Sequence, residues 1–476
     1  MVKSTGNQFL SFMNRREMML TGAAFSVGAC ALPQPSIARR TDGRPNIIFI
    51  MADDLGYADL SCYGRRDYQT PHCDRLADRG VRFVQSYSNS PVCSATRTAL
   101  MTGRYQYRLP IGLEEPLLNR PVGLPLDHPT LPSLLRASGY QTALVGKWHL
   151  GALPDYGPLQ SGYDTFYGFR QGGIDYFTHE GLFGDHDLWD GEIEVHEAEY
   201  LTTLLGDRAV AQIESFAKSD APFFLSLHFS APHWPWEGPD DLTESLRIDE
   251  STDPRALLHL DGGGLATYAR MVESMDTQVG RVMSALTRLG LEQNTIVVFT
   301  SDNGGERFSD TWPFKGIKTE LLEGGVRVPA IMVWPGSVTP ATTSEQVIIT
   351  MDWVPTLLAA ASCVPDPDYP LEGIDIVAAL TKPLHDRTLF WRYQHLLQES
   401  CRDGDLKYLK INGNTFLFDL SQDPMERANL RDRFPVDFER LARLYQEWEV
   451  TMLPRDSQAF THGYHGADLA DHFGVD

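Results

Sequence analysis

The chain has 476 residues, 42% of them hydrophobic, and a formal charge of −22. That is enough apolar material for a large buried core and, by length alone, for roughly two to three domains. The excess of Asp and Glu and the lack of any basic stripe argue against nucleic acid as a partner, because neutralising phosphates takes clustered Lys and Arg.

In chain order, the first segment of note is 1–38. Paired Arg15 and Arg16 precede a short apolar run, rich in small residues, that ends before Pro33. This resembles a twin-arginine export signal more than an ordinary amphipathic helix, so the mature chain is expected in the periplasm or secreted. Ser36 to Ala38 offers a soluble cleavage site, which is the preferred reading; Val27 to Cys30 resembles a lipobox in which Cys30 would carry a lipid anchor. No later run reaches the ~18 apolar residues that span a bilayer, and no transmembrane span is expected in the mature chain.

From Pro45 onward, short β-rich runs alternate with helical patterns, as in a largely parallel α/β sheet. Four of the runs lead into polar clusters: NIIFIMADD into Asp53 and Asp54, QTALVGKWHLG into Lys147 and His149, PFFLSLHFSAPHWPW into His233, and NTIVVFTSDNGG into Asp302 and Asn303. Each cluster alone is ordinary turn chemistry or a hydrogen-bonded loop histidine. Open α/β sheets, however, bind ligands beyond the carboxyl ends of their strands, where the four would meet. Three carboxylates and an amide suit a hard, oxygen-liganded cation. The lysines and histidines suit an anionic substrate and proton transfer.

The expected fold is α/β, a large mixed, mostly parallel sheet flanked by helices over 45–383. RTLFWRY, LKYLKI and TFLFDL then read as short strands of a smaller antiparallel sheet, with VDFERLARLYQEWEV an amphipathic helix packed on it, as a C-terminal subdomain over 384–460.

Six cysteines stand at positions 30, 62, 73, 93, 363 and 401. In an oxidising compartment Cys62 with Cys73, and Cys363 with Cys401, are candidate disulfides, although four cysteines admit other pairings. If Cys30 leaves with the signal, Cys93 is the odd one. Cys93 directly precedes a run of helix formers; a helix over Ser94 to Met101 brings Arg97 near it and adds the partial positive charge of a helix N-terminus. That is an anion-binding arrangement. The polar Ser94, Thr96 and Arg97 make a purely structural apolar cysteine the poorer reading, and a thiolate nucleophile stays open.

These residues resemble the type I sulfatases of the alkaline phosphatase superfamily, whose signature, usually CxPSR followed by Thr-Gly-Arg, is similar to CSATRTALMTGR here. The likeness extends through ADDLGYADLSCYG, GKWHLG, APHWP, SDNGG and FKGIKTELLEGGVRVP. It implies that Cys93 is oxidised to formylglycine by a maturation enzyme, which would be a partner of this chain. It implies one calcium ion held by Asp53, Asp54, Asp302, Asn303 and the modified Cys93. Around the sulfate it implies Arg97, Lys147, His149, His233 and Lys318, with Lys315 structural. Ala95 and Thr96 depart from the commonest proline and serine of the signature.

The resemblance further implies that the hydrated aldehyde attacks sulfur, that His233 or Lys318 protonates the leaving alcohol, and that His149 takes a proton in the step that expels sulfate. The expected activity is hydrolysis of sulfate esters, of a sulfated small molecule or, preferentially, a carbohydrate. Trp234, Trp236, Tyr176, Phe177 and His179 are expected as sugar-facing residues, with Asp175 and His179 further candidates for substrate contact. Two alternatives are a phosphodiester or phosphonate monoester hydrolase of the same superfamily, and a noncatalytic anion- or glycan-binding protein with unmodified Cys93.

Overall fold

The structure is a computed structural model that describes residues 43–118, 120–382 and 387–470. The proposed export signal and its Cys30 lie outside the described residues. No helix among the described residues is long and apolar enough to cross a membrane.

The four runs that carry polar clusters are the four central strands of one ten-stranded sheet. Asn46–Ala52 lies between Thr295–Ser301 and Phe223–His228, and Gln141–Lys147 follows on the far side of the latter, all parallel. Thr165–Phe169 extends the parallel run. On one flank Ala330–Val333 pairs antiparallel with Thr295–Ser301, followed by Val81–Phe83 and the edge strand Thr342–Ser344; on the other, Trp189–Asp190 and the edge strand Ile193–Glu194 are antiparallel. The sheet is therefore mixed and mostly parallel, as expected.

Strand geometry turns alternate side chains to opposite faces, and both faces here are covered. Ile48, Ile50, Leu225, Leu227, Val297 and Phe299 point into one core, where helices Leu201–Phe216 and Leu265–Arg288 pack. Ile47, Phe49, Phe224, Ile296 and Val298 point into the other, against Trp353, Val354 and Leu357 of helix Trp353–Ala360. With both faces apolar the strands read as largely hydrophobic runs, and the charged residues gather where the strands stop.

The C-terminal sheet has four antiparallel strands, Thr388–Tyr393, Gln398–Asp403, Leu406–Ile411 and Asn414–Asp419, with helix Pro435–Glu449 on it. Its core is shared with Ala95 and Ala99 from the helix that begins at Cys93 and with Val92 just before it. A buried polar knot ties the small sheet to the segment that follows Lys318: Lys407 Nζ lies 2.9 Å from both Glu323 Oε1 and Glu426 Oε1, and Glu323 Oε2 accepts from Tyr87 Oη at 2.6 Å.

The five cysteines among the described residues are all unpaired, which corrects the expected disulfides. Cys363 packs in the core under the large sheet, whereas Cys401 packs in that of the small one. Cys73 is buried on helix Pro71–Arg79 and Cys62 sits on a separate short turn.

Candidate active site

Helix Cys93–Thr102 delivers Cys93 as its first residue and Arg97 one turn later, both buried. Its entry is fixed by Thr96, whose hydroxyl donates to Ser90 O at 3.0 Å and accepts from Ser90 N–H at 3.0 Å. Its exit is a left-handed Gly103 with φ 67°, whose N–H reaches Ala99 O at 2.9 Å. A Cβ there would come within 2.7 Å of Leu371, so only glycine closes this helix without moving its neighbours.

The ends of the central strands are knitted by backbone bonds: Asp53 N–H donates to Ala231 O at 3.2 Å, and Asp302 N–H to Ala52 O at 3.3 Å. Asp54 and His149 both adopt left-handed backbone, φ 60° and 56°, a strain of about 1–3 kcal/mol per residue that tends to gather at functional sites.

Their side chains form one continuous ionic network. Arg97 donates to Asp302 Oδ2 from Nε at 3.1 Å and Nη2 at 2.8 Å. Asp302 Oδ1 accepts from Asp54 N–H at 3.2 Å. Lys147 Nζ donates to Asp53 Oδ2 at 2.6 Å and to Gly172 O at 2.7 Å, and Lys318 Nζ to Asp54 Oδ2 at 2.7 Å. Asn303 Nδ2 donates to Asp54 Oδ1 at 2.7 Å. His233 Nε2 stands 3.6 Å from Asp54 Oδ2. One donor atom each from Asp53, Cys93 and Asp302 lie within 4.8 Å of one another.

Burial raises the Asp53 pKa well above the usual carboxylate range, and the neighbouring Asp302 adds to it, against Lys147 and Arg97. For Asp302 burial also opposes charge, but Arg97 and Lys147 outweigh it and hold the group low. Burial raises the Cys93 thiol as well, despite the pull of Lys147 and Lys318, so the cations do not make a thiolate of it.

Two buried acceptors in this network have no hydrogen-bond donor: Asp53 Oδ1 and Asn303 Oδ1. Arg97 Nη2 stands 3.8 Å from Asp53 Oδ1, beyond hydrogen-bond reach. Orphaned buried oxygens beside three carboxylates fit a hard divalent cation, which would satisfy them without a proton.

The two histidines face the site through different atoms. His149 Nε2 lies 2.7 Å from Leu117 O, which fixes its hydrogen there and leaves Nδ1 without a hydrogen-bond partner. His233 Nδ1 lies 2.8 Å from Trp234 O, so Nε2 is its exchangeable atom. His149 sits beside Gly172, where a Cβ would approach its ring to 2.7 Å. From His149 a cleft of about 340 Å³ opens outward, lined by Leu117, Arg120, Gln171, Leu182 and Phe183.

The ten residues that the sequence assigned to the calcium and the sulfate, Asp53, Asp54, Cys93, Arg97, Lys147, His149, His233, Asp302, Asn303 and Lys318, therefore meet at one end of the sheet. Three that were not singled out join them: His228, whose Nδ1 is 3.3 Å from Arg97 Nη1; Glu306, buried near Lys318 and Asp54; and Tyr464, buried beside Glu306. His228 ends a predicted strand and carried a weak signal; Tyr464 belongs to a C-terminal tail with no local signal at all. Lys315 has an exposed side chain and contributes its carbonyl, which accepts from Gly324 N–H.

Among the expected sugar-facing residues, Trp234, Trp236, Tyr176 and His179 are a correction, whereas Phe177 is half-buried with its ring against Tyr200. Trp236 is 1% exposed, packed on Tyr268 and Phe308 with Arg307 over its ring. Trp234 is 8% exposed, its ring 4.1 Å from His233. Tyr176 is wholly buried and donates to His233 O at 2.9 Å. Asp175 and His179 are buried too; Asp175 Oδ1 accepts from Phe177 N–H, Thr178 N–H and Ser245 Oγ, the work of a turn cap. The apolar pull on such large rings has seated them inside.

Comparison with known proteins agrees with this geometry. The family model described as Sulfatase matches residues 45–363. N-acetylgalactosamine-6-sulfatase of Canis lupus familiaris is 32% identical over 79% of this chain and 72% of its own. Arylsulfatase A of Homo sapiens is 32% identical over 70% of this chain and 67% of its own. Among solved structures, Ps i-CgsB in complex with k-i-k-neocarrahexaose superposes with a TM-score of 0.78 at 30% identity, covering 89% of this chain and 96% of that one. With that match over most of its length, and with the site residues gathered at the ends of the central strands, the chain belongs to the sulfatase family of sulfuric ester hydrolases, in the alkaline phosphatase superfamily.

Proposed function

We propose that this protein hydrolyses sulfated carbohydrates, using a formylglycine made from Cys93 by a maturation enzyme and one calcium ion held by Asp53, Asp54, Asp302, Asn303 and the modified Cys93. The observation that carries this reading is the pair of orphaned oxygens on Asp53 and Asn303, with Cys93 beside Asp53 and Asp302, which fit a cation and an oxygen-bearing residue at that position better than a thiol. When bound, the calcium and the aldehyde would supply charge neutralisation and an oxygen nucleophile that can release sulfate without a second attack at sulfur.

This chain's own residues do the rest. Lys147 and Lys318, each anchored on an aspartate, hold positive charge against the sulfate oxygens. Arg97, clamped by Asp302, sits one helical turn from Cys93 and orients it. His149 presents the Nδ1 lone pair that accepts a proton, and His233 presents Nε2 towards the departing alcohol. We read 45–383 as the catalytic domain, 384–460 as a subdomain fused to it, and 1–38 as the signal for export to the periplasm.

Two facts support a carbohydrate substrate. Relatives include enzymes named for a sulfated sugar, and one similar structure holds an oligosaccharide. In addition, the cleft at His149 carries Phe183, 52% exposed, as an open ring among Gln171, Arg120 and Asp185. The test is a panel of sulfated mono- and oligosaccharides against aryl sulfates. Specificity constants should be higher for a glycan, and Phe183→Ala should lower glycan turnover by roughly tenfold, the worth of about 1.4 kcal/mol of ring contact. Uniformly higher constants for aryl sulfates contradict the substrate class, and higher constants for phosphate diesters contradict the reaction.

A further inference from the structure

Outside the catalytic network, another group of potential ligands gathers on the flank of the cleft. His186, Glu194 and His196 offer one donor atom each, all within 4.8 Å of one another. His186 pairs with Glu180 at the foot of a turn, Glu194 ends the edge strand Ile193–Glu194, and His196 follows two residues on. The two imidazoles lie 4.2 Å apart, centroid to centroid, at 29°. His196 Nε2 is 3.3 Å from Glu194 Oε1. None of the three contributes to the sulfate-side network.

The hydrogen bonds of His186 show which atom is available. Its Nε2 lies 2.8 Å from Val195 O and its Nδ1 3.2 Å from Thr178 O. A neutral imidazole has one N–H, so donation along the shorter contact to Val195 turns the Nδ1 lone pair towards another carbonyl lone pair, an arrangement that wants a cation. An imidazole whose far nitrogen donates to a backbone carbonyl is also the arrangement metal-ligating histidines make, since that bond fixes tautomer and ring orientation. His186 is thus preset, while Glu194 and His196, 43% and 73% exposed, are free to close on an ion.

We propose that His186, Glu194 and His196 form a second cation site, specific for a transition-metal ion such as Zn²⁺ and separate from the calcium site. Two imidazole nitrogens and one carboxylate oxygen are a borderline donor set that takes Zn²⁺, Ni²⁺ or Cu²⁺ and discriminates against hard Ca²⁺, with a fourth position left to water. Bound there, the ion ties the edge hairpin to the loop that carries Leu182 and Phe183 into the cleft. It is a staple on the substrate-side wall.

The experiment titrates the calcium-saturated full chain with ZnCl₂ by calorimetry, for wild type, His186→Ala, His196→Ala and the double variant, with Glu192→Ala as a neighbouring control. Wild type should bind one zinc equivalent, weakened at least about tenfold in each histidine variant and unchanged in Glu192→Ala. Turnover of the calcium enzyme should be unchanged in His196→Ala, which separates this site from catalysis. Should His186→Ala fold poorly, His196→Ala, at an exposed position, decides alone. No zinc equivalent in wild type, or an undiminished one in His196→Ala or the double variant, overturns the proposal and leaves a surface His–Glu pair with stacked rings.

Discussion

At the scale of single residues, the site is divided between groups that hold charge and groups that move protons. Lys318 is tied to Asp54 at 2.7 Å, and Asp54, against the opposing effect of burial, raises the lysine pKa, which keeps it a fixed cation. His233 has Nδ1 committed to the Trp234 carbonyl and only Nε2 to exchange. His233→Ala should therefore slow sulfates of sugar alcohols, whose leaving groups need a proton, by about 10²–10⁴, and activated aryl sulfates far less. Lys318→Ala should slow both classes alike. Steady-state rates on a sugar sulfate and a nitrophenyl sulfate check this, and equal losses in His233→Ala would reassign it to charge stabilisation.

At the scale of elements, what the sequence displays is local continuity. Asp53, Lys147, His233 and Asp302 were legible because each ends or follows a buried parallel strand, whose mostly apolar run makes its charged end conspicuous. Strand Gln398–Asp403 was not, because QESCRD has a strand's position without its composition. Its Arg402 is buried only because Tyr87 and Gln85 of another segment receive it. Tyr464 and the inward tryptophans depend likewise on partners far along the chain. The loop that holds Trp236 has its own pH signature. Glu237 is buried beside Asp175, and burial first, then that neighbouring carboxylate, raises its pKa well above the ordinary value. A proton bound more tightly in the fold than in the unfolded chain stabilises fully below the unfolded pKa, about 4.5, and that contribution is lost as pH rises through the folded value. Glu237→Gln keeps a permanent N–H towards Asp175 and an acceptor for Tyr176 N–H, now bonded to Glu237 Oε2 at 3.2 Å. Its melting temperature should match wild type near pH 4 and exceed it increasingly towards about pH 8; a constant difference across that range would contradict the assignment.

At the scale of the whole molecule, a positive pocket sits in a chain of charge −22. Arg97, Lys147 and Lys318 are all buried and ion-paired, so their field is felt at contact range, whereas an approaching sulfate ester meets the acidic surface first. Added neutral salt screens that surface, with a Debye length near 10 Å at about 0.1 M. kcat/KM for an anionic substrate should accordingly rise between about 10 and 150 mM salt, and a fall over that range would mean the pocket steers its substrate.

The account depends most on what Cys93 becomes. Mass spectrometry of the tryptic peptide Phe83 to Arg97, from protein made together with a maturation enzyme, measures it directly. The peptide should be found with the sulfur and two hydrogens of the cysteine replaced by one oxygen, the aldehyde should be trapped by a hydrazine, and specific activity should rise in proportion to the converted fraction. Full activity in protein whose Cys93 is entirely an intact thiol would contradict the account.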